Sequence, residues 1–120
     1  MEPQGQTSEI HGMWTVFSAE RDGNPISQFV NARLLFRGEQ FGMQRGERRI
    51  GEGTYRVDPG KTPKEIDLTD NSGTRLGIYK LEGDQLTLCL TEPNRPSRPT
   101  EFTAPAGSPQ MVLVLRREIP

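Results

Sequence analysis

Apolar and polar residues alternate along this chain with a period of two, in short runs cut by glycine, proline and aspartate. Leu34 and Phe36 share one side of ARLLFR, Phe41 and Met43 one side of QFGMQR, Tyr55 and Val57 one side of TYRV, and Ile66 and Leu68 one side of EIDL. LGIYKL offers Leu76 and Ile78, and QLTLCL sets Leu86, Leu88 and Leu90 against Thr87, Cys89 and Thr91. This is the pattern of strands with one buried face. Turn signals (RDGNP, RGEQ, QRGER, DPGKTP, DNSGT, EGD, PNRPSRP and PAGSPQ) separate the runs at the short intervals expected of antiparallel strands joined by tight loops.

The pattern predicts eight strands, at 12–21, 32–38, 40–46, 50–57, 64–70, 75–82, 85–91 and 101–117. The last is interrupted by Pro105, Gly107 and Pro109, which leaves 110–117 as its pairing half. Helical spacing occurs only in PISQFVN, where Ile26, Phe29 and Val30 fall at i, i+3 and i+4 and predict one or two turns of helix. Hairpin-linked strands make either a sandwich or a closed up-and-down barrel. Closure removes the exposed sheet edges that so little helix would leave uncovered. The expected fold is therefore all-β: an eight-stranded antiparallel up-and-down barrel with a short helix after the first strand. Residues 10–120 form its single domain, and 1–9 a flexible lead.

Gly12-Met13-Trp14 on the first strand resembles the lipocalin signature, and VLVLRRE places an arginine on the last strand. With Leu113 and Leu115 inward, period two puts Arg117 on the same side. GMWTVFSAERDGNPI, ARLLFRGEQF, EGTYRVDPGKTPKEIDLT, GIYKLEGDQLTLCL and RPTEFTAPAGS through VLVLRRE together resemble the small lipocalin-like domains abundant in planctomycete bacteria, from about residue 10 to 118. The resemblance implies that Trp14 plugs the closed end of the barrel with Arg117 packed over it, and that the domain works outside the cytoplasm. It implies no activity.

Composition narrows the function classes. A chain of 120 residues fits one domain. A net charge of −1 gives no electrostatic footprint for nucleic acid or an anionic membrane. Hydrophobic content of 32% with 13 glycines and 10 prolines fits a small domain rich in turns. The one cysteine, Cys89, lies in a strand pattern and reads as a packing residue. No run is long enough to span a membrane. The polar start MEPQGQTSEI lacks the form of a secretory signal, so the compartment stays open between the cytoplasm and a processed, exported form.

Catalytic chemistry is thin. His11 is the only histidine and has no neighbouring nucleophile or second metal ligand; Glu65, Asp67 and Asp70 read as a solvated strand edge. No metal and no cofactor is implied, and no enzyme. Pro93, Pro96 and Pro99 recur at polyproline spacing, with the rigid connection between the last two strands as the plainer reading.

A barrel of eight strands is either filled or holds one small ligand. The inward set, which also takes in Leu76, Phe102 and Met111, makes Phe36, Phe41, Met43, Tyr55, Ile78 and Leu88 the expected lining of a small hydrophobic or amphipathic ligand site, with Arg45 and Arg56 near one end. The alternative is a filled barrel acting through its outer surface. There Met13, Phe17, Ala19, Val112 and Val114 alternate with the inward set and predict an apolar patch. Either the short helix covers that patch, or it is an interface for a second copy or another protein.

Overall fold

The structure, a computed structural model, describes residues 8–118. It contains β1 (Gly12–Arg21), β2 (Asn24–Pro25), β3 (Arg33–Arg37), β4 (Gln40–Arg45), β5 (Arg48–Asp58), β6 (Lys64–Asp70), β7 (Gly73–Glu82), β8 (Gln85–Thr91) and β9 (Gln110–Arg117). Every pairing is antiparallel, in the order β2-β1-β3-β4-β5-β6-β7-β8-β9, and β1 pairs again with β9. The result is a closed eight-stranded up-and-down barrel with β2 as a short extra strand against β1. The predicted helix is a single 3-10 turn, Ser27–Phe29. It is too short to cover a sheet face; Ile26 and Phe29 instead pack against the main core, and Arg45 of β4 donates to the Gln28 carbonyl at 2.8 Å.

The register explains which side chains fill the barrel. Trp14 faces Leu34 and Arg117; Phe36 faces Phe41; Tyr55 faces Leu68; Tyr79 faces Leu88, which faces Leu113. These residues, with Val16, Ile66, Leu86, Leu90 and Leu115, belong to one contiguous buried cluster.

Four predicted orientations are corrected. On β7, Gly77 and Tyr79 belong to the inward row, so Leu76 and Ile78 point outward. The inner position at 77 is taken up by a neighbour, since a Cβ there would come within 2.5 Å of Leu90 Cδ2. On β1 the register shifts between Val16 and Ser18, so Ala19 pairs with Leu113 and turns inward. The bulge leaves Phe17 outside, 57% exposed, with the Arg116 guanidinium 4.5 Å from its ring. Phe102 is not on a strand; it lies outside the barrel, 5.0 Å from Lys80 Nζ.

Residues 92–109 form a strap over the outside of the barrel. Arg98 anchors it: Nη1 donates to the carbonyls of Ile66 (3.3 Å) and Gly77 (2.9 Å) and to Asp67 Oδ1 (2.7 Å), and Nε lies 3.5 Å from Glu65. Glu65 and Asp67, expected to be solvated, are therefore the strap's anchor points. A second anchor joins the strap to the β1–β2 turn, through Gly23 N to the Ala104 carbonyl at 2.7 Å and Gly107 N to Asp22 at 2.7 Å. Ile78, Cys89 and Ala104 are buried yet stand apart from the main core cluster, as expected of an outer layer under this strap. Burial pushes the Cys89 thiol pKa up.

Candidate functional site

One end of the barrel is shut by residues 8–11. Trp14 Nε1 donates to the Ile10 carbonyl at 2.8 Å, and Ile10 itself is fully buried. The Arg117 guanidinium lies 4.3 Å from the Trp14 ring and donates to the carbonyls of His11 (2.9 Å) and Glu9 (3.1 Å). Gly12 permits this approach: its φ is +125°, and a Cβ would meet Arg117 Nη1 at 3.3 Å. Ser8 and Glu9, assigned by sequence to a flexible lead, belong to the plug; residues 1–7 of that lead lie outside the described residues. Tyr79 and Lys64 donate to the Glu9 carboxylate at 2.7 and 2.8 Å, and the Ser8 and Tyr55 hydroxyls are 2.9 Å apart. Lys64 first, then Tyr79, holds the Glu9 carboxyl below its ordinary range. Burial, followed by Glu9, raises Tyr79.

The last residue described closes the seam beside this plug. Glu118 accepts from Arg33 Nε and Nη2 and from Thr15 Oγ1, each at 2.7 Å, and this holds its carboxyl at about 2 against an ordinary 4.5. The depressed value belongs to the folded chain. The clamp therefore contributes stability above pH 4.5 and loses it as pH falls through about 2. Denaturation midpoints measured between pH 5 and pH 2 should fall more steeply for the wild type than for Glu118→Gln; parallel curves would refute the clamp.

The residues expected to line a ligand site divide. Phe36, Phe41, Tyr55 and Leu88 do come together, but as core: each is at most 9% exposed, and the Phe36 and Tyr55 rings meet edge to face at 4.7 Å. Met43 packs half-buried against them. Ile78 is across the wall, under the strap, and Arg56 is exposed on the outer row opposite Asp67. Arg45 reaches across the end opposite the plug to Gln28. Val112 and Val114 are half-buried on the outer wall, Val114 opposite Ser18 next to Phe17, whereas Met13 lies further along β1, opposite Leu35.

A concavity of about 570 Å³ lies on the outside, over β1, β3, β4 and β5. Three rows of outward side chains build it. Met13, Leu35, Gly42 and Glu52 are register neighbours and make the floor, and Phe41 and Gly53 of the inner row reach the lining. Arg33, Gln44 and Arg49 make one wall, and Arg37, Gln40 and Thr54 the other. Asp70 and Asn71 close one end. Arg33 is engaged with Glu118 and Arg49 with Glu52, whereas Arg37 forms no ion pair among the described residues. A second hollow of about 340 Å³ lies between Arg21, Asp22, Glu92 and Arg95, where Arg95 is paired with Glu92.

Comparison with protein-family models, curated proteins and solved structures finds no match. Among the described residues no group of three His, Cys, Asp or Glu is placed to hold a metal ion, and no helix is long and apolar enough to cross a membrane. The groove escaped the sequence reading because its lining comes from several strands and alternates with core residues. Its sequence signals are Gly42 and Gly53, glycines in mid-strand where β-formers are favoured.

Proposed function

We propose that this chain is a lipocalin-like barrel of the filled kind, a non-catalytic module that works by binding a partner on the outer face of β1, β3, β4 and β5. The observation that carries the reading is the division of apolar surface. The barrel's inner aromatic and leucine side chains are spent on one another, while Met13 and Leu35 floor a hollow open to solvent. The lipocalin-like assignment is supported by the closed eight-stranded topology and by Gly12, Trp14 and Arg117 acting together at the plugged end. Binding on a rigid barrel wall needs no rearrangement of the core, which suits a module that presents a fixed surface.

Amide chemical-shift mapping tests this directly. An extract of host metabolites, lipids and peptides should shift the amides of Leu35, Arg37, Gly42 and Gln44. Shifts at Phe36, Tyr55 and Leu88 together with the Trp14 indole would overturn the reading and put a small hydrophobic ligand inside the barrel.

A further inference from the structure

We infer that the plugged end of the barrel is a peptide-binding site held closed by the chain's own residues 8–11, and that a partner's turn carrying a carboxylate followed by a branched aliphatic residue takes their place. The site stands apart from the outer face proposed above and shares none of its residues.

The way the segment is held is the first ground. Residues 8–11 fold on themselves as a turn, His11 N donating to the Ser8 carbonyl at 3.1 Å, and among the described residues no hydrogen bond joins their backbone to that of a strand. Side chains of the barrel grip them instead. Three successive carbonyls, of Glu9, Ile10 and His11, accept from Arg117 Nη2, Trp14 Nε1 and Arg117 Nη1. The Glu9 carboxylate accepts from Tyr79 and Lys64. At each of these bonds the barrel donates and the segment accepts, and Ile10 adds one fully buried apolar side chain. Asp84 engages Arg117 only through Nε, at 3.6 Å, which leaves both terminal nitrogens to the segment. A main-chain carbonyl belongs to any sequence, so choice falls to the carboxylate and the aliphatic residue after it.

The attachment of the segment is the second ground. Gly12 joins it to β1 in the left-handed half of backbone space, which other residues rarely enter, so residues 8–11 hang on the barrel by one permissive link. Lys64 and Glu9 meet at the solvent edge, their side chains 37% and 35% exposed, where an incoming carboxylate reaches the ammonium first. A segment tethered this closely has an effective concentration of about a millimolar and shuts out weak competitors. The site therefore answers to a partner that supplies both side chains, or to a change that loosens residues 8–11.

Fluorescence anisotropy with fluorescein-labelled Gly-Ser-Glu-Ile-His-Gly tests the inference on the intact chain. Ile10→Asp puts a charge where a fully buried side chain sits and should expel residues 8–11. This variant should bind the peptide saturably, at least tenfold tighter than the wild type, and its melting temperature should rise with peptide concentration. The peptide with glutamine in place of glutamate, or alanine in place of isoleucine, should bind at least tenfold more weakly. Tyr79→Phe in the Ile10→Asp background should weaken the glutamate peptide more than the glutamine peptide, a difference that damage to the fold alone would not make. Equal binding by Ile10→Asp and the wild type, no binding by either, equal binding of the glutamate and glutamine peptides, or equal losses in Tyr79→Phe would each overturn the inference. If Ile10→Asp does not fold even with peptide present, Glu9→Lys, which sets a second ammonium against Lys64 at the surface, decides by the same comparisons.

Discussion

Replacing Trp14 with alanine should cost about 3–5 kcal/mol, the largest loss expected from any single truncation in this barrel. The indole is fully buried, donates to the Ile10 carbonyl, and carries Arg117 on its face, so its removal empties the plug, leaves the Ile10 carbonyl without its donor and loses the cation–π contact. Against a total stability of about 5–15 kcal/mol for a domain this size, much of the margin goes. Trp14→Phe separates the parts, since it keeps most of the packing and loses the bond to Ile10; it should cost about 1–2 kcal/mol. Urea denaturation followed by far-ultraviolet circular dichroism reads both variants without the lost indole signal. A Trp14→Ala midpoint matching that of the wild type would mean that residues 8–11 hold the end shut without it.

The second large effect concerns the strap. Arg98→Ala should raise the reactivity of Cys89 toward a disulfide reagent at least tenfold and cost about 2–3 kcal/mol in stability. One guanidinium serves two strand carbonyls and Asp67, and its side chain is only 24% exposed, so alanine leaves these acceptors without a donor. Cys89 reports the result because it is fully buried under the strap, its sulfur 3.5 Å from the Thr103 carbonyl. Arg98→Lys keeps the charge but lacks the planar fork, and should fall between the two. An unchanged labelling rate would show that the second anchor, at Ala104 and Gly107, is enough to hold the strap down.

Strand positions were legible because period two is a local property. Leu86, Leu88 and Leu90 declare the inner face of β8 by themselves, and the barrel order follows once every loop but two is short. What local pattern could not give is which apolar row is inner where both faces are covered. Leu76 and Ile78 look like a core row, and only the strap, docked through Arg98 more than thirty residues away in sequence from Ile66, makes their outward position tenable. Ala19 failed for another reason: the bulge at Phe17 adds a residue, and one added residue reverses the parity of all that follow. The groove was least legible: its residues alternate with core residues along their strands and read as ordinary solvated positions.

The seam between β1 and β9 has a consequence for how this chain comes to be. Of the pairings that close the barrel, this one alone joins strands far apart in sequence, Trp14 with Arg117. During synthesis β9 emerges after the other strands, so β1 and β8 wait with bare hydrogen-bonding edges until it arrives. In that interval the sealing strand of a neighbouring nascent chain serves as well as its own. Crowded synthesis therefore favours exchange of β9 between copies, giving intertwined pairs whose every local contact is native.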